Sequence, residues 1–224
     1  MGTPFRLEIK LATPFAMSKP RTTLDSLLSA AIFRENGAMG ADTIPHIPLD
    51  QEDGVFKGSC AFIAGNFSHT KVQRIMNLNG LNDHTPDHFA PQSKGKIKRY
   101  LAISVKREAY KANLSNHAAL DARTVVFFGV GNPERVVELI QTNIPGLGKR
   151  ANAGAGEIVS VTWQKMDADR SWITPSGLPA RPLPLGVWNR ISASRIVPIA
   201  DLTVQVPYWS GEVVAAVYPL EVSV

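Results

Sequence analysis

This chain of 224 residues is nearly without cysteine: Cys60 stands alone, which excludes an intrachain disulfide and a thiolate-rich zinc site. A single thiol fits a reducing compartment. No apolar run reaches membrane-spanning length, and Met1 to Lys10 alternates apolar and charged side chains where a signal peptide would be continuously apolar. The expectation is a soluble, cytoplasmic protein with no membrane partner. Aromatic residues are sparse at 8%, and the RNA-recognition motif Lys/Arg-Gly-Phe/Tyr-Gly/Ala-Phe-Val-x-Phe/Tyr is absent, so any RNA contact has to come from loops and cations. Charge of one sign does not dominate either. With 24 Lys and Arg against 19 Asp and Glu, the net charge of +5 suits a polyanionic partner without requiring one.

What the chain has is glycine in one place. Gly146, Gly148, Gly154 and Gly156 enclose Lys149, Arg150 and Asn152 in an eleven-residue stretch between an expected helix and an expected strand. Glycine admits φ > 0 and close ligand approach, so backbone N–H groups could converge on phosphate while Lys149 and Arg150 add charge. The P-loop is excluded, because Arg150 follows Gly148-Lys149 where that motif needs Ser or Thr. The dinucleotide fingerprint is excluded too, because this loop follows a helix and feeds a strand. A mobile surface connection is the plain alternative.

Around that loop the periodicities run in a definite order. Phe5, Leu7, Ile9 and Leu11 alternate as a half-buried strand. A loop, Ala12 to Arg21, carries Lys19 and Arg21. Thr22 with Asp25 three positions on is expected to cap a helix whose stripe is Leu24, Leu27, Leu28, Ala31 and Ile32, closed by Asn36-Gly37. Val55 to Ile63 is expected as one strand with a bulge at Gly58, and Thr70 to Met76 as a shorter one exposing Lys71 and Arg74. Asn77 to Ser93 is punctuated as an extended loop; His84 and His88 stand four apart there, but Pro86 prevents a helix from presenting both to a metal. Lys94, Lys96, Lys98 and Arg99, then Lys106, Arg107 and Lys111, bracket a strand at Leu101, Ile103 and Val105. That pattern suits a phosphate backbone or, equally, an edge strand guarded by lysines.

Thr124 to Val130 reads as a central strand, and Asn132-Pro133 as the cap and first residue of a second helix carrying Val136, Val137, Ile140 and Ile144. Val159, Val161 and Trp163 form the last core strand. The order strand, helix, strands, strand, helix, glycine loop, strand is the split β-α-β plan of an α+β, ferredoxin-like (RRM-like) core, which by itself says little about function. The core is expected over residues 1–165 with an insertion at about 64–99. Residues 166–224, which hold Trp172, Trp188, Trp209 and many prolines, are expected as a β-rich appendage ending in a hairpin at Leu202–Val206 and Val213–Tyr218. Arg181 and Arg190 are candidates for phosphate there, and the tryptophans for packing more than for stacking.

The glycine loop before the last core strand resembles that of the RAMP superfamily, the RNA-binding subunits of CRISPR–Cas effector complexes. With the helix start Thr22-Thr23-Leu24-Asp25-Ser26-Leu27-Leu28 and the tail Arg181-Pro182-Leu183-Pro184, the chain looks most like the small type IV subunit. The resemblance implies a non-catalytic protein that holds the 5′ handle of the crRNA. The implied partners are that RNA, the helical backbone RAMP subunit and the large subunit, with target-adjacent DNA left open; no metal or cofactor is expected. Related RAMP proteins cut precursor RNA without metal, and His46, His69, His84, His88 and His117, with Tyr110 and Lys111, are the candidates for that chemistry, though no spacing selects a set. A third reading is a metabolite-binding domain using the same loop.

Overall fold

A computed structural model describes residues 2–17, 21–76, 113–192, 197–209 and 211–224. In chain order the elements are β1 (Thr3–Leu11), α1 (Leu24–Asn36), β2 (Gln51–Glu52), β3 (Val55–Phe56), β4 (Phe62–Ile63), β5 (Phe67–Met76), β6 (Asn113–Ala122), β7 (Thr124–Gly131), α2 (Pro133–Asn143), β8 (Ile158–Lys165), β9 (Leu183–Pro184), α3 (Leu185–Ile191), β10 (Ile199–Thr203) and β11 (Val213–Val217). The fold is mixed α/β around an antiparallel sheet of order β4-β7-β1-β8. Strand β7 lies between β1 and β4, and β1 lies between β7 and β8, so two β-α-β units interleave. That order is consistent with the ferredoxin-like, RRM-like plan.

Both helices are set by local signals. Asn132 accepts from Arg135 N (3.1 Å) and Pro133 opens α2, as expected. At α1 the expected cap moves by one residue. Thr23, not Thr22, is the N-cap, receiving Ser26 N while Ser26 Oγ receives Thr23 N. The shift makes Asp25 the second helical residue instead of the third, and it is fully buried. Gly37 closes the helix at φ 80°, its N–H on Phe33 O at 2.9 Å.

The odd residues of β1, with Val125, Phe127 and Val161, meet α1 and α2 in the main core. The opposite face of the sheet is divided. Over β4 and β7, Phe62, Val126 and Phe128 are buried beneath Ala180 and Met166 of the C-terminal segment. Over β1 and β8 the face is polar, with Arg6, Glu8 and Lys10 in register with Gln164, Thr162 and Ser160. The aromatic rings of this sheet are thus covered, and none is left to stack a base on the open half.

The expected strand Val55–Ile63 is instead two short pieces. Val55–Phe56 turns back on Gln51–Glu52, Phe62–Ile63 pairs with β7, and between them Gly58 makes an isolated bridge to Gly129 of β7, flanked by Ser59 N on Phe128 O (2.8 Å) and Val130 N on Lys57 O (2.9 Å). From the Gly58–Gly129 bridge to the Phe62–Val126 pair this strand has one residue more than β7, an irregularity of the kind expected at Gly58, where a Cβ would sit 2.9 Å from Leu49 Cδ1 and 3.1 Å from Leu24 Cβ. Beyond it, the C-terminus extends the sheet edge: Ile63 N donates to Val222 O, and Val224 N to Ile63 O.

Residues Met1–Thr70 with Ala119–Val224 form one compact unit, and Lys71–Ala118 a second; the expected insertion ran from 64 to 99. The C-terminal segment therefore shares the unit of the main sheet. Its three-stranded sheet, β10-β11-β9, and α3 close over Trp172 and Trp188 with Val55, Leu183, Val187 and Val217. Trp172 Nε1 donates to Phe56 O at 3.1 Å, so both tryptophans pack. The hairpin falls at Ile199–Thr203 and Val213–Val217: the first strand lies three residues earlier than expected because Val204 and Val206 turn inward, and the second starts at the expected Val213 and ends one residue short.

Candidate nucleic-acid interface

The glycine loop joins α2 to β8, and it is held from both sides. Gly156 N donates to Pro14 O (2.9 Å), Lys149 N to Ala16 O (2.7 Å), and Leu147 N to Gly156 O (2.8 Å). Ala153 N and Ala155 N return to Arg150 O, and Gly154 N to Ala151 O. Thr13 adds a clasp: its Oγ1 donates to Gly154 O at 2.7 Å and accepts from Glu157 N at 2.9 Å. These N–H groups are spent on the chain itself. The expected backbone cradle is corrected accordingly: Gly154 and Gly156 cannot offer their N–H to phosphate while the loop keeps this form.

Glycine is required here for another reason. At Gly148 (φ +76°) a Cβ would lie 2.3 Å from Ala16 O, and at Gly156 (φ +64°) 2.3 Å from Leu147 O. The segment after β1 can lie against the loop only because those side chains are missing. Gly146 is also closely packed, approached by Ala155 O, whereas Gly154 has open space around it. What reaches solvent is the tip. Lys149 and Asn152 are exposed, and Arg150 is half-buried in the left-handed region at φ 67°, unusual outside glycine.

The other expected cations go to different places. Arg181 is fully buried: its guanidinium binds Asp25 Oδ1 and Oδ2 (3.3 and 3.4 Å), Phe56 O (2.6 Å), Gly58 O (3.0 Å), Val204 O (3.0 Å) and Tyr208 Oη (2.8 Å). Burial opposes its charge, but Asp25 and Tyr208 outweigh that and hold the proton more tightly than usual. It is a structural ion pair, not a phosphate contact. Arg190 pairs with Asp53 at the surface. Arg21 is half-buried, donating to Ala61 O and Glu221 O and lying 4.7 Å above the Phe62 ring. Lys71 is exposed and Arg74 half-buried on β5, within the second unit. Lys19, Lys94, Lys96, Lys98 and Arg99, with His84 and His88, lie outside the described residues.

Two features escaped the sequence reading. Thr13 sits in what read as a plain connection, and nothing local distinguishes it from Thr22 or Thr23. Lys10 alternates into the open sheet face opposite Thr124 and Ser160, a placement that needs the strand order to be known. Among the described residues no group of three or more His, Cys, Asp and Glu could hold a metal ion, and no helix is long and apolar enough to cross a membrane.

No family model matches the chain, and no curated protein does. Among solved structures it is similar to a chain in the cryo-EM structure of type III-B Cmr-beta bound to cognate target RNA. The identity is 15% and the TM-score 0.39, over 73% of this chain and 61% of that one. This chain thus spans about three-fifths of that neighbour's length.

Proposed function

We propose that this protein is a non-catalytic, cytoplasmic RNA-binding subunit of a CRISPR–Cas ribonucleoprotein, of the small type IV kind, that holds the 5′ handle of the crRNA beside a backbone RAMP subunit and a large subunit. The observation that carries it is the tip of the α2–β8 loop. Lys149 is exposed and Arg150 is kept in a left-handed conformation, on a loop whose base is clamped to the segment after β1. A clamped base removes the cost of ordering the loop on binding, so cations at its tip act as preorganised phosphate contacts. The spent backbone N–H groups shift the work to the side chains, with Lys10 on the neighbouring sheet face as a further cation.

The test is Lys149→Ala combined with Arg150→Gly. Glycine tolerates φ 67° better than arginine, so this variant removes two charges without straining the loop. Guide-RNA affinity should fall, and the slope of log affinity against log salt should flatten by about one unit for each phosphate that is no longer neutralised. Unchanged affinity together with an unchanged slope, read by filter binding across a salt series, removes the loop from the RNA site.

A further inference from the structure

Away from the glycine loop, two cavities meet at Ser26 in the first turn of α1. One, of about 440 Å³, has Arg21 and Asp201 in its walls; the other, of about 220 Å³, is lined by Phe33, Met39 and Trp209 and by no charged residue. Each has a distinct chemistry. Arg21 donates to the carbonyls of Ala61 and Glu221, both neutral acceptors, and its Nε is buried without a partner. Burial pushes its pKa below the ordinary value, and the nearby Cys60 and Glu221 side chains offset that only in part. The larger cavity therefore has a desolvated positive charge in its wall that a single anion would relieve. Asp201 is exposed, and its carboxylate disfavours a second anion but accepts from hydroxyl groups. In the smaller cavity, Ser29 Oγ and Thr43 Oγ1 are bonded to each other at 2.9 Å, and Thr43 also donates to Gly40 O. Its polar groups are satisfied, which leaves an apolar slot. Trp209 is 75% exposed there and Phe33 48%.

An anion site, a hydroxyl acceptor and an aromatic slot side by side match the three parts of one nucleotide. We propose that these joined cavities take a single splayed nucleotide of single-stranded RNA, the base against Trp209 and Phe33, the ribose 2′-hydroxyl toward Asp201 and the phosphate toward Arg21. This rests on the RNA-binding reading but not on the glycine loop. A protein side chain in the slot would not use Arg21, and a free phosphate would not use Trp209; only a nucleotide uses both. The 2′-hydroxyl contact makes the site selective for RNA over DNA.

The experiment is fluorescence anisotropy of the full chain with 5′-labelled A8 RNA and dA8 DNA. Wild type should prefer the RNA. Trp209→Ala should weaken RNA binding roughly tenfold, the loss of about one base stack, and Asp201→Ala, which leaves no acceptor for the 2′-hydroxyl, should remove the preference for RNA over DNA. Both side chains are exposed, and unchanged thermal melts will show that the variants fold. If wild type binds RNA and Lys149→Ala with Arg150→Gly weakens it while Trp209→Ala leaves the affinity and Asp201→Ala the RNA preference unchanged, the cavities are not the site and the RNA-binding reading stands. If wild type binds neither nucleic acid, both fall. If Trp209→Ala changes only self-association, seen by sedimentation, the slot is a protein-docking face and the nucleotide proposal is overturned.

Discussion

A guanidinium with no exposed surface has to be matched bond for bond, and at Arg181 the match is Asp25, Tyr208 and a ring of backbone carbonyls. Removing one partner strands the other charge away from water. Arg181→Ala should therefore cost about 3–5 kcal/mol, read as a fall in the urea midpoint, and replacing both charges together, Arg181→Met with Asp25→Leu, should recover much of that loss. A double variant no more stable than the single one would show that Arg181 acts through its carbonyl contacts instead. Nothing local could have revealed the pair, since the partners are 156 positions apart, and Arg181 among prolines looks like a tail cation. Cys60 is a second buried case. Burial raises its thiol to about 11, so between the ordinary thiol range and that value the folded protein holds a proton that the unfolded chain releases. Its contribution to stability is complete below the unfolded pKa and is lost as pH rises toward about 11. Iodoacetamide at about pH 8, just below the ordinary thiol pKa, should leave Cys60 unmodified in the folded protein and modify it in urea.

The α2–β8 loop separates what glycine does for the fold from what the cations do for binding. A methyl group at Gly148 or Gly156 meets a carbonyl oxygen and forces a left-handed φ, whereas at Gly154 (φ +83°) it meets only the left-handed penalty. Gly148→Ala and Gly156→Ala should each lower the melting temperature more than Gly154→Ala, by more than about 1 kcal/mol relative to it. Equal effects at all three positions would mean that the loop is not clamped. The elements with self-contained signals were readable in the sequence. Strand β7 is continuously apolar, α2 has its cap and first-turn proline, and β1 and β8 alternate. Elements whose shape depends on distant partners were not. Strands β3 and β4 are separated by an irregular stretch that pairs with β7 around Gly58, the first strand of the tail hairpin is displaced because Val204 and Val206 turn inward, and β9 with α3 is hidden among prolines. The loop itself was found for its glycines, but their role in packing against Pro14 and Ala16 depends on residues more than a hundred positions away in sequence.

At the scale of the whole molecule the C-terminal segment decides which surfaces remain. It covers the β4–β7 half of the sheet through Ala180 and Met166, buries Phe62 and Phe128, and pairs with Ile63 at the edge. A sheet that has surrendered its aromatic half cannot bind RNA by stacking on that face. In this unit the β1–β8 half and the loop tip stay open and polar, and the cavities at α1 add one wall with Arg21 and Asp201 and one apolar slot. Cleavage asks for something different from holding. Transesterification needs a base within hydrogen-bond reach of the 2′-hydroxyl and donors aimed at the phosphate as charge develops. At the glycine loop most N–H groups are committed to the chain and no histidine is present. His46 lies in a short 3-10 turn, apart from His69 on β5 and His117 on β6, which are neighbouring strands of one two-stranded sheet. Purified protein incubated with repeat RNA should therefore leave it intact over hours, with or without EDTA, under conditions where anisotropy shows the RNA to be bound. A discrete product that persists in EDTA and disappears in His117→Ala would replace the holding role with metal-independent cleavage. Product lost in EDTA would mean metal-dependent cleavage and would equally overturn the holding role.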